Sequence, residues 1–380
     1  MVPTVLDAHP VWLMPRRSFD TADAAQRRVS AVRWQVRLLA GVAMTAAVAA
    51  CSTSTPSGEL PLRQLSETVL TGGPVRFDYL ALDTGQGRLF IAHMGASELI
   101  DVDIHAHAVV RTLPGLSDVH GVIVIPDKHR VYATATGSNQ LVAIDENSGA
   151  VAYRAPTDTY PDGLAYDPIR NTVWTTNEAA GTETVIDADT GAALATIPLG
   201  GEVGNVVYDP VLDQMVVAVQ GRNDLAVLDP VSFTVNQRIP TSGCDHPHGQ
   251  ALDVTDQVMF VGCEANATMV TVDLAARSVI DHHGVGETPD VLAYDPDARR
   301  VYVGAESGWV SILAHDRGHL TLLGSAHLAD GAHSLALDPT THHSYIPFPR
   351  TTMVLPCYGN SNPPEQPRGA EAGSRTFPAG

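Results

Sequence analysis

Residues 161–168 read PDGLAYDP and residues 289–296 read PDVLAYDP, two near-identical octapeptides far apart in one chain. Five further segments align with them without gaps: FDYLALDT from Phe77, VHGVIVIP from Val119, VGNVVYDP from Val203, PHGQALDV from Pro247 and AHSLALDP from Ala332. Their second residues fall at 78, 120, 162, 204, 248, 290 and 333, so a unit of 42 to 44 residues occurs seven times. A fixed period of that size is the signature of a repeat architecture in which each unit is one supersecondary element.

Within each unit the order of events recurs. The octapeptide leads into a turn such as Asp167-Pro168-Ile169-Arg170-Asn171, then into a β-branched and aromatic run such as Val131-Tyr132-Ala133-Thr134. A Gly/Ser/Asn loop follows, then a third run ending near aspartate, as in Leu225-Ala226-Val227-Leu228-Asp229, and a fourth such as Ala193-Leu194-Ala195-Thr196-Ile197. Four short strands separated by turn chemistry at this period describe one blade of a β-propeller. A blade cannot bury both of its faces alone, so seven must stack into a closed ring. The predicted fold is therefore all-β, a seven-bladed β-propeller of four-stranded antiparallel blades spanning residues 67–359. The seventh unit lacks an outer strand, and Glu67-Thr68-Val69-Leu70-Thr71, just ahead of the first octapeptide, is expected to supply it.

The first fifty residues read differently. Arg27, Arg28, Arg33 and Arg37 precede an apolar or small run from Leu38 to Ala50 that ends Val48-Ala49-Ala50-Cys51. A basic segment, a short apolar core and small residues before a cut describe a signal peptide over 1–50, and the run is too short for a bilayer span of about 20 residues. The V-A-A-C ending resembles a bacterial lipobox, which makes Cys51 the lipidated mature N-terminus, residues 51–66 a tether and residues 360–380 a disordered Pro/Gly-rich tail. The predicted address is the cell envelope, on the periplasmic side or the cell surface. Arg16-Arg17 carries a weaker twin-arginine likeness, and Met14 is an alternative start to Met1. Loss of residues 1–50 removes six arginines and three aspartates and takes the formal charge from −19 to −22. So acidic a surface repels phosphate backbones and disfavours nucleic acid as a partner.

The runs RVYATATGSNQLVAID (130–145) and VWTTNEAAGTETVIDADTGAALATIPLGG (173–201) resemble the repeat signature of the YncE-like, YVTN-repeat propellers. The resemblance covers about residues 67 to 350. It implies an exported seven-bladed propeller, in a family whose members have been given several binding roles, DNA among them. Such repeat motifs specify fold and say little about chemistry. Propellers with lactonase or metal-dependent lyase activity are also related, but none of their catalytic motifs transfers to this chain residue by residue.

The repeat register superposes seven positions around one axis. The second octapeptide residue reads Asp78, His120, Asp162, Gly204, His248, Asp290 and His333, so six of the seven ionise at the position that opens the innermost strand. The loop between second and third strands returns to the same face and adds His93, Asn177, Glu178, Glu264, Asn266 and Glu306, and His246 lies two residues before His248. His333, Asp78, His120 and Asp162 belong to consecutive blades and form an arc. Imidazole with carboxylate suits a divalent transition metal better than calcium. Three readings of the ring stand side by side: residues that hold neighbouring blades together, a metal or ligand site without chemistry, and a catalytic centre.

Cys244 and Cys263 fall at the same edge of one hairpin in the fifth unit and are expected to pair in an oxidising compartment, leaving Cys357 over; a Cys/His metal site with His246 and His248 is the alternative. Phosphate-binding Gly-rich loops, Gly-x-Ser-x-Gly, His-Glu-x-x-His and Cys-x-x-Cys are all missing from the sequence. The first functional expectation is thus a binding or interaction protein whose acidic, His-rich mouth takes a small ligand, a metal ion or a protein partner, with the membrane reached only through the lipid. The second is a metal-dependent lyase or lactonase working at the same mouth.

Overall fold

A computed structural model describes residues 58–361. Seven four-stranded antiparallel sheets and five short 3-10 segments make up the regular structure of the described residues, each sheet with its strands in chain order from inside to outside except the last. The blade opening at Asp162 shows the plan, with strands Pro161–Asp167, Thr172–Asn177, Thr182–Asp187 and Ala193–Pro198. Numbered by their opening residues, from Asp78 in blade 1 to His333 in blade 7, these are the blades expected from the repeat.

Blade 7 is built from both ends of the described chain. Its three inner strands are Ala336–Asp338, His343–Tyr345 and Val354–Asn360, and its outermost strand is Leu62–Val69, antiparallel to Val354–Asn360. Ring closure by an N-terminal strand is therefore present, but the strand starts at Leu62 rather than Glu67. Residues 62–66, read as tether, are in the sheet, and Asn360, read as the first residue of the tail, ends a strand. A register shift between Gln64 and Ser66 breaks the two-residue alternation, which hides the start of the strand in the sequence. The signal peptide, Cys51 and most of the tail lie outside the described residues.

Neighbouring blades bury their faces against one another. Phe90, Tyr132, Trp174, Val216, Phe260 and Tyr302 occupy one repeat position on the second strand and are all fully buried. Each such side chain contributes roughly 1.5–3 kcal/mol by leaving water. The polar tips are satisfied as well: Tyr132 donates to the Ala188 carbonyl at 2.9 Å and Tyr302 to Asn360 Oδ1 at 3.2 Å. The wedge thus repeats with the sequence period, and it is what turns seven flat units into a ring.

Recurring aspartates make the turns. Asp83, Asp167, Asp209, Asp253 and Asp338 each end an inner strand and accept the backbone N–H two residues on, and Asp295 accepts the one three residues on. Such Asx turns satisfy donors that a tight reversal would leave bare. Blade 2 has no aspartate there and turns through the 3-10 segment Pro126–Lys128 instead.

Candidate functional site

The ring positions are set by a local irregularity. In blades 2, 3, 5 and 6 the pairing of first and second strands slips at the second residue of the octapeptide, between Val119 and Val122, Pro161 and Leu164, Pro247 and Gln250, and Pro289 and Val291. The bulge frees His120, Asp162, His248 and Asp290 from the ladder and re-aims them. Threonines of the second strand take up the slack: Thr134 Oγ1 accepts Gly121 N–H at 2.7 Å and donates to the Asp162 carbonyl at 3.0 Å. A Cβ on Gly121 or Gly249 would collide with the carbonyl oxygen of Asp162 or Asp290, so glycine lets adjacent blades meet at the mouth. Gly204, the one ring position that does not ionise, has the same role. A Cβ there would lie 2.6 Å from His248 Cα, and Asn205 N–H donates to the His248 carbonyl at 3.1 Å.

These elements enclose a cavity of about 170 Å³ at the channel mouth. Six carboxylates line it, those of Asp78, Asp162, Glu178, Glu264, Asp290 and Glu306, together with His120, His248, Tyr79, Tyr160 and Arg76. Arg76 is its only side chain with a permanent positive charge, and the guanidinium forks onto Glu306 at 2.5 and 3.1 Å while standing 3.7 Å from Asp78. His248 Nε2 lies 3.3 Å from Asp290 Oδ1 and 3.8 Å from Asp162, with Gln220 Nε2 2.6 Å from its Nδ1. His120 donates its Nδ1–H to the Asp118 carbonyl at 2.7 Å and turns Nε2 toward Tyr160 Oη at 3.2 Å and Asp78 at 4.0 Å.

Burial in the mouth raises the proton affinity of three of its six carboxyl groups. Burial pushes the Asp78 carboxyl up to about 6, with His120 opposing and Asp290 and Asp162 adding to the rise. Burial, reinforced by Asp162, pushes Glu178 up to about 8, and burial raises Glu264 too. Asp290 goes the other way: burial works against its charge, but the hydrogen bond and charge of His248, with His333 and Arg76, hold it well below the usual carboxylate range. The mouth is a place where negative charge is in excess and imperfectly neutralised.

Tyr79 forms the floor. Its hydroxyl accepts from Asn205 Nδ2 at 2.5 Å, reaching from blade 1 to blade 4, and donates to Asp290 Oδ1 at 3.4 Å. Below it a second cavity of about 430 Å³ continues down the channel, bounded by inner-strand residues such as Leu82, Ile123, Leu164, Val207 and Leu337. Tyr79 lines both cavities.

Not every expected residue reaches the mouth. His93 is fully buried inside blade 1, with Nδ1 2.8 Å from Glu98 Oε1 and its ring stacked on Phe77. Asn177 spends its amide on Thr182 and Thr184 within blade 3. Asn266 braces the loop before blade 5, accepting from Asp245 N–H and donating to the Gly243 carbonyl, and the exposed His246 sits 3.3 Å from Asp245. His333 stands beside the cavity wall, 3.7 Å from Asp290 Oδ2. Metal-ligand spacing joins His333 and Asp78 to Asp290 of blade 6, a residue outside the arc of His333, Asp78, His120 and Asp162. Cys244 and Cys263 form the expected disulfide, and Cys357 is free and buried. Arg76, Tyr79 and Tyr160 are the mouth residues that the sequence reading missed. Arg76 and Tyr160 lie two positions before ring residues, the offset that drew attention to His246, so the same register could have found them.

No family model matches the chain, and no curated protein is found to be similar to it. Among solved structures it is similar to Kuenenia stuttgartiensis hydrazine synthase, at 15% identity with a TM-score of 0.63, over 73% of this chain and 94% of that one. At that identity the likeness supports the propeller fold and no shared chemistry.

Proposed function

We propose that this chain is an exported, lipid-anchored propeller of the YVTN-repeat kind that binds a positively charged ligand at its channel mouth. The observation that carries this reading is the charge inventory of the 170 Å³ cavity, six carboxylates against the histidines His120 and His248 and one arginine that Glu306 already engages. Desolvated carboxylates without enough partners favour a cation that supplies them. Export is supported by the basic and apolar N-terminal pattern ending at Cys51 and by the Cys244–Cys263 disulfide, which suits an oxidising compartment.

Thermal unfolding of the purified protein tests the binding reading. A diamine should raise the melting temperature by several degrees, while succinate of equal concentration should not. A Glu178→Gln/Glu264→Gln double variant should respond to the diamine less than the parent. Stabilisation by succinate but not by the diamine would sink the proposal.

A further inference from the structure

Two clusters at the mouth have metal-ligand spacing, Asp78 with Asp290 and His333, and His248 with Glu264 and Asp290. They differ in what their histidines already do. His248 has both ring nitrogens engaged, Nδ1 near Gln220 and Nε2 near Asp290. His333, only 1% exposed, donates Nδ1–H to the Gly331 carbonyl at 2.9 Å, which puts the lone pair of the neutral ring on Nε2. That Nε2 is buried and has no hydrogen-bond partner. A buried polar atom left bare asks for an explanation, and here it faces two carboxylates.

Anchoring of one imidazole nitrogen on a backbone carbonyl is how proteins orient a histidine toward a metal. The donor atoms of His333, Asp78 and Asp290 lie within 4.8 Å of one another, with His333 Nε2 3.7 Å from Asp290 Oδ2. Ligands bonded at about 2.0–2.2 Å to one ion stand about 3–3.5 Å apart, so these atoms would close in by up to about 1.5 Å on binding. We infer that Asp78, Asp290 and His333 form a binding site for a divalent transition metal ion. This inference rests on the cation-binding reading of the mouth and names its ligand.

The surroundings fit such an ion. The three ligands come from blades 1, 6 and 7, and Asp78 and Asp290 border the cavity, which leaves further coordination positions facing it. Arg76, the nearest fixed cation, shares its counter-charge between the forked bond to Glu306 and Asp78 at 3.7 Å, so a metal ion would compete with it for Asp78. An imidazole among carboxylates favours zinc, copper or iron over calcium and magnesium, which prefer all-oxygen shells.

The test is titration of chelator-treated protein with Zn²⁺ by calorimetry, with Co²⁺ absorption as a second readout. One equivalent of zinc should bind, and His333→Ala and Asp290→Asn should each weaken it by about 100-fold or more. His282→Ala and His319→Ala, at exposed positions on outer strands, should leave it unchanged. Metal-free melting curves show whether each variant is folded, and His333→Gln replaces the alanine variant if that one is not. Absence of zinc binding, or binding undiminished in a folded His333 variant, overturns the site. If zinc fails while the diamine still stabilises through Glu178 and Glu264, the metal site falls and the cation-binding reading stands; if neither binds, both fall.

Discussion

The two ends of the inner strands use the same residue for opposite purposes. At the end away from the mouth, Asp83, Asp167, Asp209, Asp253, Asp295 and Asp338 are tied to the backbone N–H groups of their own turns. At the mouth, Asp78, Asp162 and Asp290 accept no backbone N–H among the described residues, and Asp162 Oδ1 is buried with no partner. The first set closes turns, and its removal would bare donors. In the second, Asp162 and Asp290 sit at bulges that are formed by the backbone and do not need their carboxyl groups. Repeated polar residues in a propeller are therefore of two kinds, and the hydrogen-bond partner separates them where the sequence position does not.

The largest effect is expected where that distinction is sharpest. Asp167 is fully buried, accepts Ile169 and Arg170 N–H at 2.8 and 3.1 Å and holds the Arg170 side chain at 2.8 Å. Asp167→Ala should cost about 3 kcal/mol in urea unfolding, because it strips two backbone donors and an ion pair at once. A cost under about 1 kcal/mol would mean that the turn end does not depend on its aspartates.

A smaller effect of opposite sign is expected at Glu183. This glutamate stands where other blades carry Leu99, Leu141, Leu225, Met269 and Val310, and both its carboxyl oxygens are buried without partners. Glu183→Leu should stabilise the protein by about 1–2 kcal/mol. Burial raises the Glu183 carboxyl well above its ordinary range. A raised acid binds its proton more tightly when folded, so the parent loses stability as pH rises from the glutamate range of about 4.3 toward the folded value. The gain from Glu183→Leu should accordingly grow with pH across that window, and a gain independent of pH would show that Glu183 does not stay protonated in the fold.

The smallest change is expected at the ring itself. Asp162→Asn should leave unfolding free energy within about 1 kcal/mol of the parent, because the carboxylate accepts no backbone N–H and stands 3.8 Å from His248. A loss comparable to that of Asp167→Ala would erase the contrast between the two ends.

Much of this was readable from the chain. The blade count and the ring of ionisable positions follow from one octapeptide, because a period fixes which residues share a place around the axis. The loop residues were harder. Glu178, Glu264 and Glu306 reach the cavity, whereas His93 and Asn177 come from the same part of the repeat but find partners inside their own blades, in Glu98 and in Thr182 and Thr184. Those local bonds depend on side-chain direction, which the repeat register does not encode. Tyr79 was invisible for a related reason: its partner, Asn205, is three blades away across the channel.

That crossing gives the ring the character of a cup rather than a pipe. Tyr79 lies between the carboxylate-lined cavity and the larger one beneath it, so an ion or amine bound as proposed would sit on the mouth side of that side chain. The strength of the hold is then set in part at the rim, where Arg76 clasps Glu306 and stands 3.7 Å from Asp78, because that guanidinium competes with any entering cation for the same carboxylates.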